Sequence, residues 1–546
     1  MLYRMNDLTN SEIEHKISRE IIEYLLKNPD TPRYKITNLK GKFGKKYKYH
    51  KVIKNAQILH NATEEELRVV TQLLKRRITR TISGVSVIAI MTKPLPCPGK
   101  CVYCPGQDSQ PDQKVAQSYT GHEPAAMRSI HNNYDPYEQV RSRIRDLEAI
   151  GHIVDKIEIV CMGGTFLSSP IDYQEEFIKG AYEGVIGAKV ISLEAAKKLA
   201  ENSKRRLIGL TIETRPDYCT ESYVDMMLNY GATRVEIGIQ TVLDDVYKKV
   251  NRGHTTQDSI DAIRIAKDAG LKVNAHIMPN LPGSNYSKDL EMFDVLFSYP
   301  GYRPDMLKIY PCVVIKGTIL YNWWKEGEFT PYSLDELVEL ISNVKQKIPS
   351  YVRIQRIMRD IPAFLIEAGC KKSNLRQLIH KRLEEQHSKC NCIRCREYGI
   401  AKKSKIFDEN IFENIKLYRQ DYEASNGQET FLSYENKKED YLVAYLRLRK
   451  PSEYAHRPEL NDGKTMVVRE VKVVGELVPK DKKPLRNTQL QHRGFGKLLM
   501  ENAEKIALED FDSKKLAVIS GIGVRTWFYE LGYTLDGCYV SKTLND

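Results

Sequence analysis

The sequence has no apolar run long enough to cross a bilayer. Its longest such stretch, residues 81–91, is about half of the ~20 residues that a membrane-spanning helix needs. The N-terminus, MLYRMNDLTN, lacks the apolar core of a secretory signal peptide. We find no internal repeat and no low-complexity segment. These absences predict a protein that is not secreted, has no membrane partner and works in the cytoplasm.

Acidic residues are missing from one segment. Residues 31–54 contain no Asp or Glu, and the whole chain has a net charge of +13. Nine basic residues lie in this segment: Arg33, Lys35, Lys40, Lys42, Lys45, Lys46, Lys48, Lys51 and Lys54. Tyr34, Phe43, Tyr47 and Tyr49 are interleaved with them. Because bases stack on aromatic rings while phosphates pair with cations, this composition favours RNA binding, with a solvated basic arm as the alternative.

Length and composition indicate several globular domains. A chain of 546 residues corresponds to roughly three or four of them, and 41% hydrophobic with 28% charged residues is a globular composition. Changes in composition divide the chain into a basic, mostly helical region (1–80), an α/β region (81–370), a linker (371–400) and an α+β region (401–546).

The second region alternates apolar strands with amphipathic helices. Strands are predicted at residues 84–93, 156–163, 207–214, 234–240, 272–279 and 306–314. This alternation predicts a parallel sheet with helices outside it, and about six units predict a full or partial (β/α) barrel. In such barrels the chemistry lies at the C-terminal ends of the strands. The last region reads as a smaller α+β domain, with strands at 441–449, 466–474 and 516–520.

Six of the eleven cysteines fall into two tight clusters, whose spacing suits metals better than disulfides and indicates a reducing compartment. The first cluster is Cys97, Cys101 and Cys104, on a loop after the first predicted strand. Three thiolates with no obvious fourth ligand nearby leave one position open, as in a [4Fe–4S] cluster with one free iron. A zinc loop with a distant fourth ligand is the alternative.

The second cluster combines three thiols with an imidazole: His387, Cys390, Cys392 and Cys395. Together they make a complete tetrahedral ligand set for structural Zn²⁺. Cys312 and Cys370 are alternative fourth ligands, and three free cysteines are the interpretation without a metal.

A glycine-rich turn precedes a predicted helix in the last region. Residues 491–500 read QHRGFGKLLM, that is, Q-x-x-G-x-G followed by an amphipathic pattern. Glycines before a helix expose unpaired N–H groups, and the helix dipole favours an anion such as a pyrophosphate there. No G-K-[ST] follows, so this is not a P-loop.

These motifs resemble known families. The first cysteine loop resembles that of the radical S-adenosylmethionine (SAM) superfamily, in which the free iron chelates the cofactor. The resemblance makes five residues cofactor contacts: Gly163, Gly164, Glu213, Gln240 and Arg252. The C-terminal motif is similar to the acetyl-CoA loop of the GNAT acetyltransferases. It implies acetyl-CoA contacts from Gln491, Arg493, Gly494, Phe495, Gly496, Lys497, Phe528 and Tyr529.

Both domains in one chain resemble the catalytic subunit of Elongator and its archaeal counterparts, the tRNA uridine acetyltransferases. That family implies that a deoxyadenosyl radical activates the methyl group of acetyl-CoA, which is joined to C5 of the wobble uridine in a tRNA anticodon loop. Thioester hydrolysis then leaves 5-carboxymethyluridine. The implied partners are tRNA, acetyl-CoA, an electron donor and a second copy in a homodimer. Tyr529 and Lys316 are candidate catalytic residues beside the three cluster cysteines.

Two other functions compete with this one. A protein lysine acetyltransferase would need only the C-terminal domain and would keep the cluster as structure. A non-catalytic RNA-binding scaffold would need only the basic segment. Gln240 and Arg252, as cofactor contacts, argue against a purely structural cluster.

Overall fold

The computed structural model describes residues 9–74, 83–106, 115–401, 414–475 and 490–545. They belong to two compact units, one formed by Met1–Ser86 with Arg141–Asp155 and the other by Val87–Val140 with Lys156–Asp546. Within the described ranges, no helix combines the length and the apolarity that a bilayer crossing requires. Each unit buries its own set of apolar side chains.

The first unit begins with helices, as predicted for the basic N-terminal region. They are α1 (Asn10–Lys27), α2 (Arg33–Lys46), α3 (Asn55–His60) and α4 (Glu64–Leu74). Thr9 and Glu12 form a reciprocal capping box that starts α1. Ile17, Ile21 and Leu25 recur at every fourth position of α1, so they share one face, which is buried in the core of the unit.

A parallel sheet forms the centre of the second unit. The strands in this part of the chain are β1 (Val85–Met91), β2 (Lys156–Met162), β3 (Arg206–Thr214), β4 (Arg234–Gln240), β5 (Lys272–Ile277), β6 (Met306–Ile309), β7 (Val314–Ile315), β8 (Arg353–Ile357) and β9 (Ile366–Ala368). The main sheet has the order β1-β2-β3-β4-β5-β6-β8, and its neighbours from β2 to β8 run parallel. Sequential parallel strands joined by helices make a half-barrel, which confirms the predicted partial barrel.

Helices connect these strands and continue into the linker. They are α5 (Pro124–His131), α6 (Pro136–Ala149), α7 (Ile171–Ile186), α8 (Leu193–Glu201), α9 (Glu221–Asn229), α10 (Asp244–Lys249), α11 (Thr256–Asp268), α12 (Tyr286–Ser298), α13 (Ile319–Lys325), α14 (Leu334–Lys347), α15 (Leu375–Glu385), α16 (Ile393–Arg396) and α17 (Tyr398–Ala401). Short 3-10 turns lie at Phe166–Ser168, Pro216–Tyr218 and Ala363–Leu365.

The predicted strand at 306–314 is wrong in its second half. β6 ends at Ile309, and Val314 and Ile315 form β7, which pairs with β9 in a separate sheet. Pro311 lies between them and has no N–H to donate to a ladder, so the strand does not continue through it. The last barrel strand, β8, has the sequence RIQRI, and its charged positions hide it from an apolar pattern.

A second seven-stranded sheet forms the C-terminal α+β part. Its elements are β10 (Lys416–Ala424), β11 (Gly427–Asn436), β12 (Tyr441–Lys450), β13 (Thr465–Val473), α18 (Phe495–Glu509), β14 (Lys515–Val518), α19 (Arg525–Tyr529), β15 (Thr534–Asp536) and β16 (Tyr539–Thr543). The strand order is β10-β11-β12-β13-β14-β16-β15. β13 and β14 run parallel, but their pairing ends at Val468 and Val518, whereas β13 continues to Val473. β14 ends there, so β13 extends about five residues beyond its parallel neighbour.

The C-terminal sheet packs against the half-barrel where the parallel strands begin. Arg469 of β13 donates to both carboxylate oxygens of Asp305, at 2.6 and 2.8 Å, and Asp305 directly precedes β6. Lys156, the first residue of β2, donates to Gln491 Oε1 at 3.4 Å. Because the cysteine loop follows the end of β1, this interface lies at the opposite ends of the strands from that loop.

Candidate active site

A cavity at the C-terminal ends of the parallel strands collects most of the residues predicted for the radical SAM chemistry. Those that line it are Cys97, Cys101, Cys104, Gly164, Glu213, Gln240 and Arg252. They come from loops and strands that are far apart in sequence, and the parallel sheet brings them to one edge. The open space there is about 1130 Å³, part of it continuous with solvent.

The cysteine loop is held against cations. Arg252 Nη1 donates to Cys101 Sγ at 3.4 Å. A hydrogen bond from Cys104 and the charges of Arg252 and Arg215 lower the pKa of the Cys101 thiol to about 5, although burial opposes this. Cys97 lies apart, with its Sγ 3.6 Å from Thr165 Oγ1. The loop therefore presents at least one readily ionised thiol next to fixed positive charge, as a metal cluster requires.

At two glycines near the cluster loop, other side chains lie so close to the backbone that a Cβ atom would clash with them. Gly163 has φ +130°, and a Cβ there would lie 2.2 Å from Thr92 Oγ1. Gly163 therefore shapes the turn after β2, while its neighbour Gly164 lines the cavity. A Cβ at Gly238 of β4 would lie 2.8 Å from Arg252 Nη2, which donates to the Gly238 carbonyl at 2.5 Å. Sequence reasoning missed Gly238, although it lies in the same stretch as Gln240.

Three buried polar atoms in the cavity lining lack partners among the described residues, and the Tyr103 hydroxyl is one of them. Gln240 Oε1 and Arg215 Nη1 are buried, and neither has a hydrogen-bond partner among the described residues. Gln240 also has φ +72°, a backbone conformation that is uncommon outside glycine. A buried polar atom without a hydrogen-bond partner costs free energy. A polar ligand in the cavity would supply partners for the Gln240 and Arg215 atoms. A cofactor with amino, carboxylate and ribose groups fits this donor and acceptor set.

Charged side chains also meet below the cavity. Tyr119 donates to Glu213 at 3.1 Å, and Lys308 of β6 donates to Glu213 at 3.3 Å and forms an ion pair with Glu236. His276 Nε2 lies 2.9 Å from Glu236. Burial raises the pKa of Glu236, but Lys308 and His276 outweigh it and hold that pKa well below its usual range. Glu236 in the cavity wall is therefore ionised and paired with the Lys308 ammonium group.

Lys316, the predicted lysine, lies outside the cavity lining, and Lys308 is the lysine that pairs with the lining carboxylates Glu213 and Glu236. Lys316 follows β7 in an exposed turn and does not line the cavity. The prediction placed it after the strand at 306–314, taken as the last of the barrel, but β6 ends at Ile309 and the last barrel strand is β8. Lys308 has a buried ammonium group because two carboxylates neutralise it. Its sequence context, an apolar strand with a single lysine, is a signal that points to a buried, paired ammonium group.

The second cysteine cluster converges. The Sγ atoms of Cys390, Cys392 and Cys395 lie within 4.8 Å of one another. His387 does not belong to this group: it is exposed after the end of α15, with φ +49°. His380, seven residues earlier in the chain and within α15, has its Nε2 3.9 Å from Cys395 Sγ, although it is not part of the group of three either. His380 is therefore a further candidate for a fourth ligand beside the predicted His387.

The two alternative fourth ligands do not join the thiol group. Cys312 packs in an apolar cluster with Cys101, and Cys370 is outside the group of three. Lys345 donates to Cys395 Sγ at 3.6 Å. Burial and the cations Lys345 and Arg376 lower the pKa of His380 to about 4, so its imidazole is neutral, the form that binds a metal.

The glycine turn begins α18 as the motif predicts. Gly494 is the N-cap with φ +86°, no side chain of the described residues caps the helix, and the first turn contains no acidic residue. The neighbouring His492 also has φ +61°. The first N–H groups of α18 are thus available to an anion. Gly496 lies beside Trp527 and beside Val473 of β13, so the turn adjoins the end of β13.

The predicted contacts around this turn differ in exposure. Arg493 and Lys497 are exposed, Phe495 packs on Tyr434 with ring centres 5.2 Å apart, and Gln491 is buried. Phe528 is only 3% exposed within the hydrophobic core, which corrects its assignment as a direct contact. An aromatic residue on a short helix does not reveal from sequence which way it faces.

Tyr529 contacts the half-barrel. Its hydroxyl hydrogen bonds to Glu201 of α8, and burial together with this carboxylate raises the pKa of Tyr529 to about 12. The phenol therefore stays protonated at neutral pH. Glu470, on β13, accepts from Tyr445 at 3.1 Å and from Arg447 at 3.0 Å, which is the environment of a structural ion pair.

The basic segment of the first unit is exposed. Its exposed lysines are Lys35, Lys42, Lys45, Lys46, Lys48, Lys51 and Lys54. Lys40 is partly buried, and the side chain of Arg33 lies outside the described part. Phe43, Tyr47 and Tyr49 pack against the core of the unit, whereas Tyr34 is 65% exposed. The aromatic residues there serve mainly as core, and the cations form the accessible surface.

Three protein-family models match the chain: the ELP3 N-terminal domain over residues 14–82, the Radical SAM superfamily over 96–296 and the Radical_SAM C-terminal domain over 304–385. Among curated relatives, the tRNA uridine(34) acetyltransferase of Methanocaldococcus jannaschii is 48% identical over 491 residues, which cover 90% of each chain. Elongator complex protein 3 of Saccharomyces cerevisiae is 43% identical over 93% of this chain and 92% of that one.

Similarity extends to a human protein and to a solved structure. Elongator complex protein 3 of Homo sapiens is 40% identical over 99% of both chains. The solved structure of the archaeal Methanocaldococcus infernus Elp3 with an N-terminal deletion (1–46) superposes with a TM-score of 0.75 at 45% sequence identity, covering 85% of this chain and all of that chain.

Proposed function

Because this chain belongs to the radical SAM family that contains Elongator complex protein 3 and the tRNA uridine(34) acetyltransferases, we propose that it modifies the wobble uridine of tRNA. The finer proposal is that it installs a carboxymethyl group at C5, with acetyl-CoA as the carbon source. The observation that carries it is the presence in one compact unit of a cysteine-lined cavity and an uncapped glycine helix start.

The regions keep their predicted roles in this proposal. Residues 1–80 bind tRNA, 81–370 form the radical SAM half-barrel, 371–400 bind zinc, and 401–546 form a GNAT domain. The parallel β13–β14 pair and the glycine turn that begins α18 support the last assignment.

Cys97, Cys101 and Cys104 would hold the [4Fe–4S] cluster, with S-adenosylmethionine beside Gly164, Gln240 and Arg252. When bound, this pair supplies a carbon-centred radical that removes hydrogen from an unactivated C–H bond. The chain's own residues orient the cofactor and exclude water from the cavity. Arg252 keeps positive charge next to Cys101, Gln240 and Arg215 offer unpaired polar atoms to the cofactor, and Glu213 with Lys308 fixes the charge of the wall.

Acetyl-CoA would place its pyrophosphate on the start of α18, and Gly496→Asp tests this. A Cβ at this position meets Trp527 at 3.5 Å, an ordinary contact, so the variant should fold. The new carboxylate lies in the first turn, where it raises helix stability by about 0.3–1 kcal/mol but repels a pyrophosphate. We expect acetyl-CoA affinity to fall roughly tenfold or more by calorimetry, while the melting temperature stays equal or rises.

Gly496→Asn is the matched control, because it has nearly the same shape without the charge. It should bind acetyl-CoA more tightly than the Asp variant. Equal affinities of the two variants would contradict an anion site at the helix start.

Zinc is proposed for the three thiols with His380 as the fourth ligand, and paired histidine variants test it. His387→Ala should retain about one zinc per chain after dialysis against a chelator, whereas His380→Ala should lose most of it, as mass spectrometry would measure. The two variants are matched, because each replaces one histidine of the same segment by alanine. Zinc loss in His387→Ala alone would restore the ligand predicted from the sequence.

The proposed activity is tested with anaerobically reconstituted protein, tRNA, acetyl-CoA, S-adenosylmethionine and a reductant. Digestion and mass spectrometry of the nucleosides should reveal 5-carboxymethyluridine. A lysine-containing protein added to the same reaction tests the competing function. Acetyl-lysine on that protein, with unchanged tRNA, would replace the proposal by a protein acetyltransferase with a structural cluster.

A further inference from the structure

An exposed aromatic side chain lies on the loop that lines the rim of the radical cavity. Arg356, Arg359 and Asp360 line the cavity as the chain leaves β8. The same loop then makes the 3-10 turn Ala363–Leu365, in which Phe364 is 75% exposed. Single exposed apolar residues are common on protein surfaces, so exposure alone assigns nothing to Phe364. Its surroundings supply the argument.

The residues around Phe364 fix its direction. Ile361 and Ile366 are buried in a small apolar cluster with Val313 and Ile315, and Leu365 packs against it. Ile366 also begins β9, which pairs with β7. Because both sides of the turn are anchored, the outward position of Phe364 is set by the packing of its neighbours. The ring is therefore held ready for a partner at little entropic cost.

A second aromatic ring lies against Phe364 and comes from a different part of the cavity wall. The rings of His122 and Phe364 meet edge to face, with centroids 5.7 Å apart and an interplanar angle of 78°. Glu123, Pro124 and Ala125, which directly follow His122, line the cavity. Two segments that both border the cavity thus bring an aromatic pair to its rim.

The same rim carries positive charge. The side chain of Arg356 is 44% exposed and pairs with Asp360 at 2.7 Å. Arg359 donates to the Ser118 carbonyl, and its guanidinium lies 5.8 Å from the ring centre of Tyr119. An aromatic platform next to arginines is the combination that binds single-stranded nucleic acid, since rings stack on bases and guanidinium groups pair with phosphates.

We propose that Phe364, with His122 behind it, stacks on the nucleotide adjacent to the target uridine when that uridine enters the cavity. The inference rests on the proposed function and names a contact within it. A base that leaves a single-stranded stack deprives its neighbour of a stacking partner, and Phe364 replaces that partner. The occupant is an RNA base rather than an apolar peptide, because the platform adjoins two arginines and the mouth of the cavity.

The test uses the full chain without cofactors and an anticodon stem–loop RNA. Two RNAs carry 2-aminopurine, whose fluorescence is quenched by stacking, on one or the other side of the target uridine. With the wild type, one of them should be quenched on binding. Phe364→Ala should remove that quenching and weaken binding roughly 5- to 100-fold. Phe364→Trp should retain both, because it keeps a stacking surface.

Tyr454→Ala is the control, since Tyr454 is 55% exposed but does not line the cavity. It should bind RNA like the wild type. Equal affinity and quenching in Phe364→Ala and the wild type would overturn the platform. Wild-type protein that does not bind the RNA at all would instead contradict the proposed function, so the two failures are distinguishable.

Discussion

Cys104→Ala is expected to reduce radical-dependent product to below detection, roughly a thousandfold or more, while acetyl-CoA binding stays within about twofold. The reason is geometric. Cys104 lines the cavity with Cys97 and Cys101, and three thiolates are the smallest set that holds an open cluster. The acetyl-CoA site is built from α18 and β13, which share no residue with the cysteine loop. Iron content, 5′-deoxyadenosine and the amount of 5-carboxymethyluridine in the tRNA should all fall together.

Cys219→Ala is the matched control for this variant. Cys219 is a buried cysteine, whereas Cys104 is partly buried; the Cys219 Sγ faces the Ala262 carbonyl, and Cys219 does not line the cavity. It should retain iron and product. An undiminished amount of carboxymethyluridine with Cys104→Ala would contradict a catalytic role for the cluster and would indicate a structural one.

The fold was largely predictable because strand and helix periods are local. The first five barrel strands were predicted to within two residues at either end, since each is an apolar run bounded by turns. β8 was missed because its arginines and glutamine find partners elsewhere in the fold. Arg353, for example, pairs with Glu397 of the linker at 3.0 Å. No local pattern reveals such a compensation.

Site residues could be predicted where they form a contiguous sequence motif. They could not be predicted where they depend on contacts between residues that are distant in sequence. The cysteine loop and the glycine turn are contiguous motifs, so their residues are close in any fold. Lys308 and His380 were missed because their partners, Glu236 and Cys395, come from other elements. Lys316 and His387 were chosen for nearness in sequence, and each lies in an exposed turn.

The structure also separates the two proposed centres. The cysteine loop follows the ends of the parallel strands, whereas Gln491 contacts Lys156 at the start of β2. The seven residues of β2 span roughly 20 Å at 3.3 Å per residue. In the proposed reaction the acetyl group must therefore travel about the length of a barrel strand to meet the radical. The rigid connection between the C-terminal sheet and the half-barrel then matters to activity as well as to stability.

Asp305 is a buried carboxylate in that connection, and Asp305→Asn is expected to cost about 3–5 kcal/mol of stability. Asp305 is fully buried, binds Arg469 at 2.6 Å, and has Arg447 and Lys267 at 3.6 and 3.8 Å. The variant keeps the shape but removes the anion, so buried cations lose their compensation. Thermal unfolding of the full chain should shift down by several degrees, and the coupled reaction should weaken more than acetyl-CoA binding does.

The pH dependence gives this prediction a second readout. Burial raises the pKa of Asp305, but Arg469, Lys267 and Arg447 outweigh it and hold the pKa far below its usual range. A depressed carboxyl pKa stabilises the fold fully above the unfolded value of about 3.9, and the stabilisation is lost as the pH falls below it. The stability gap between wild type and Asp305→Asn should therefore persist from neutral pH to about pH 4 and shrink in stronger acid. Asp294→Asn, at an exposed ion pair with Lys347, should change stability by less than about 1 kcal/mol. Equal effects of the two substitutions would mean that the buried network does not hold the sheets together.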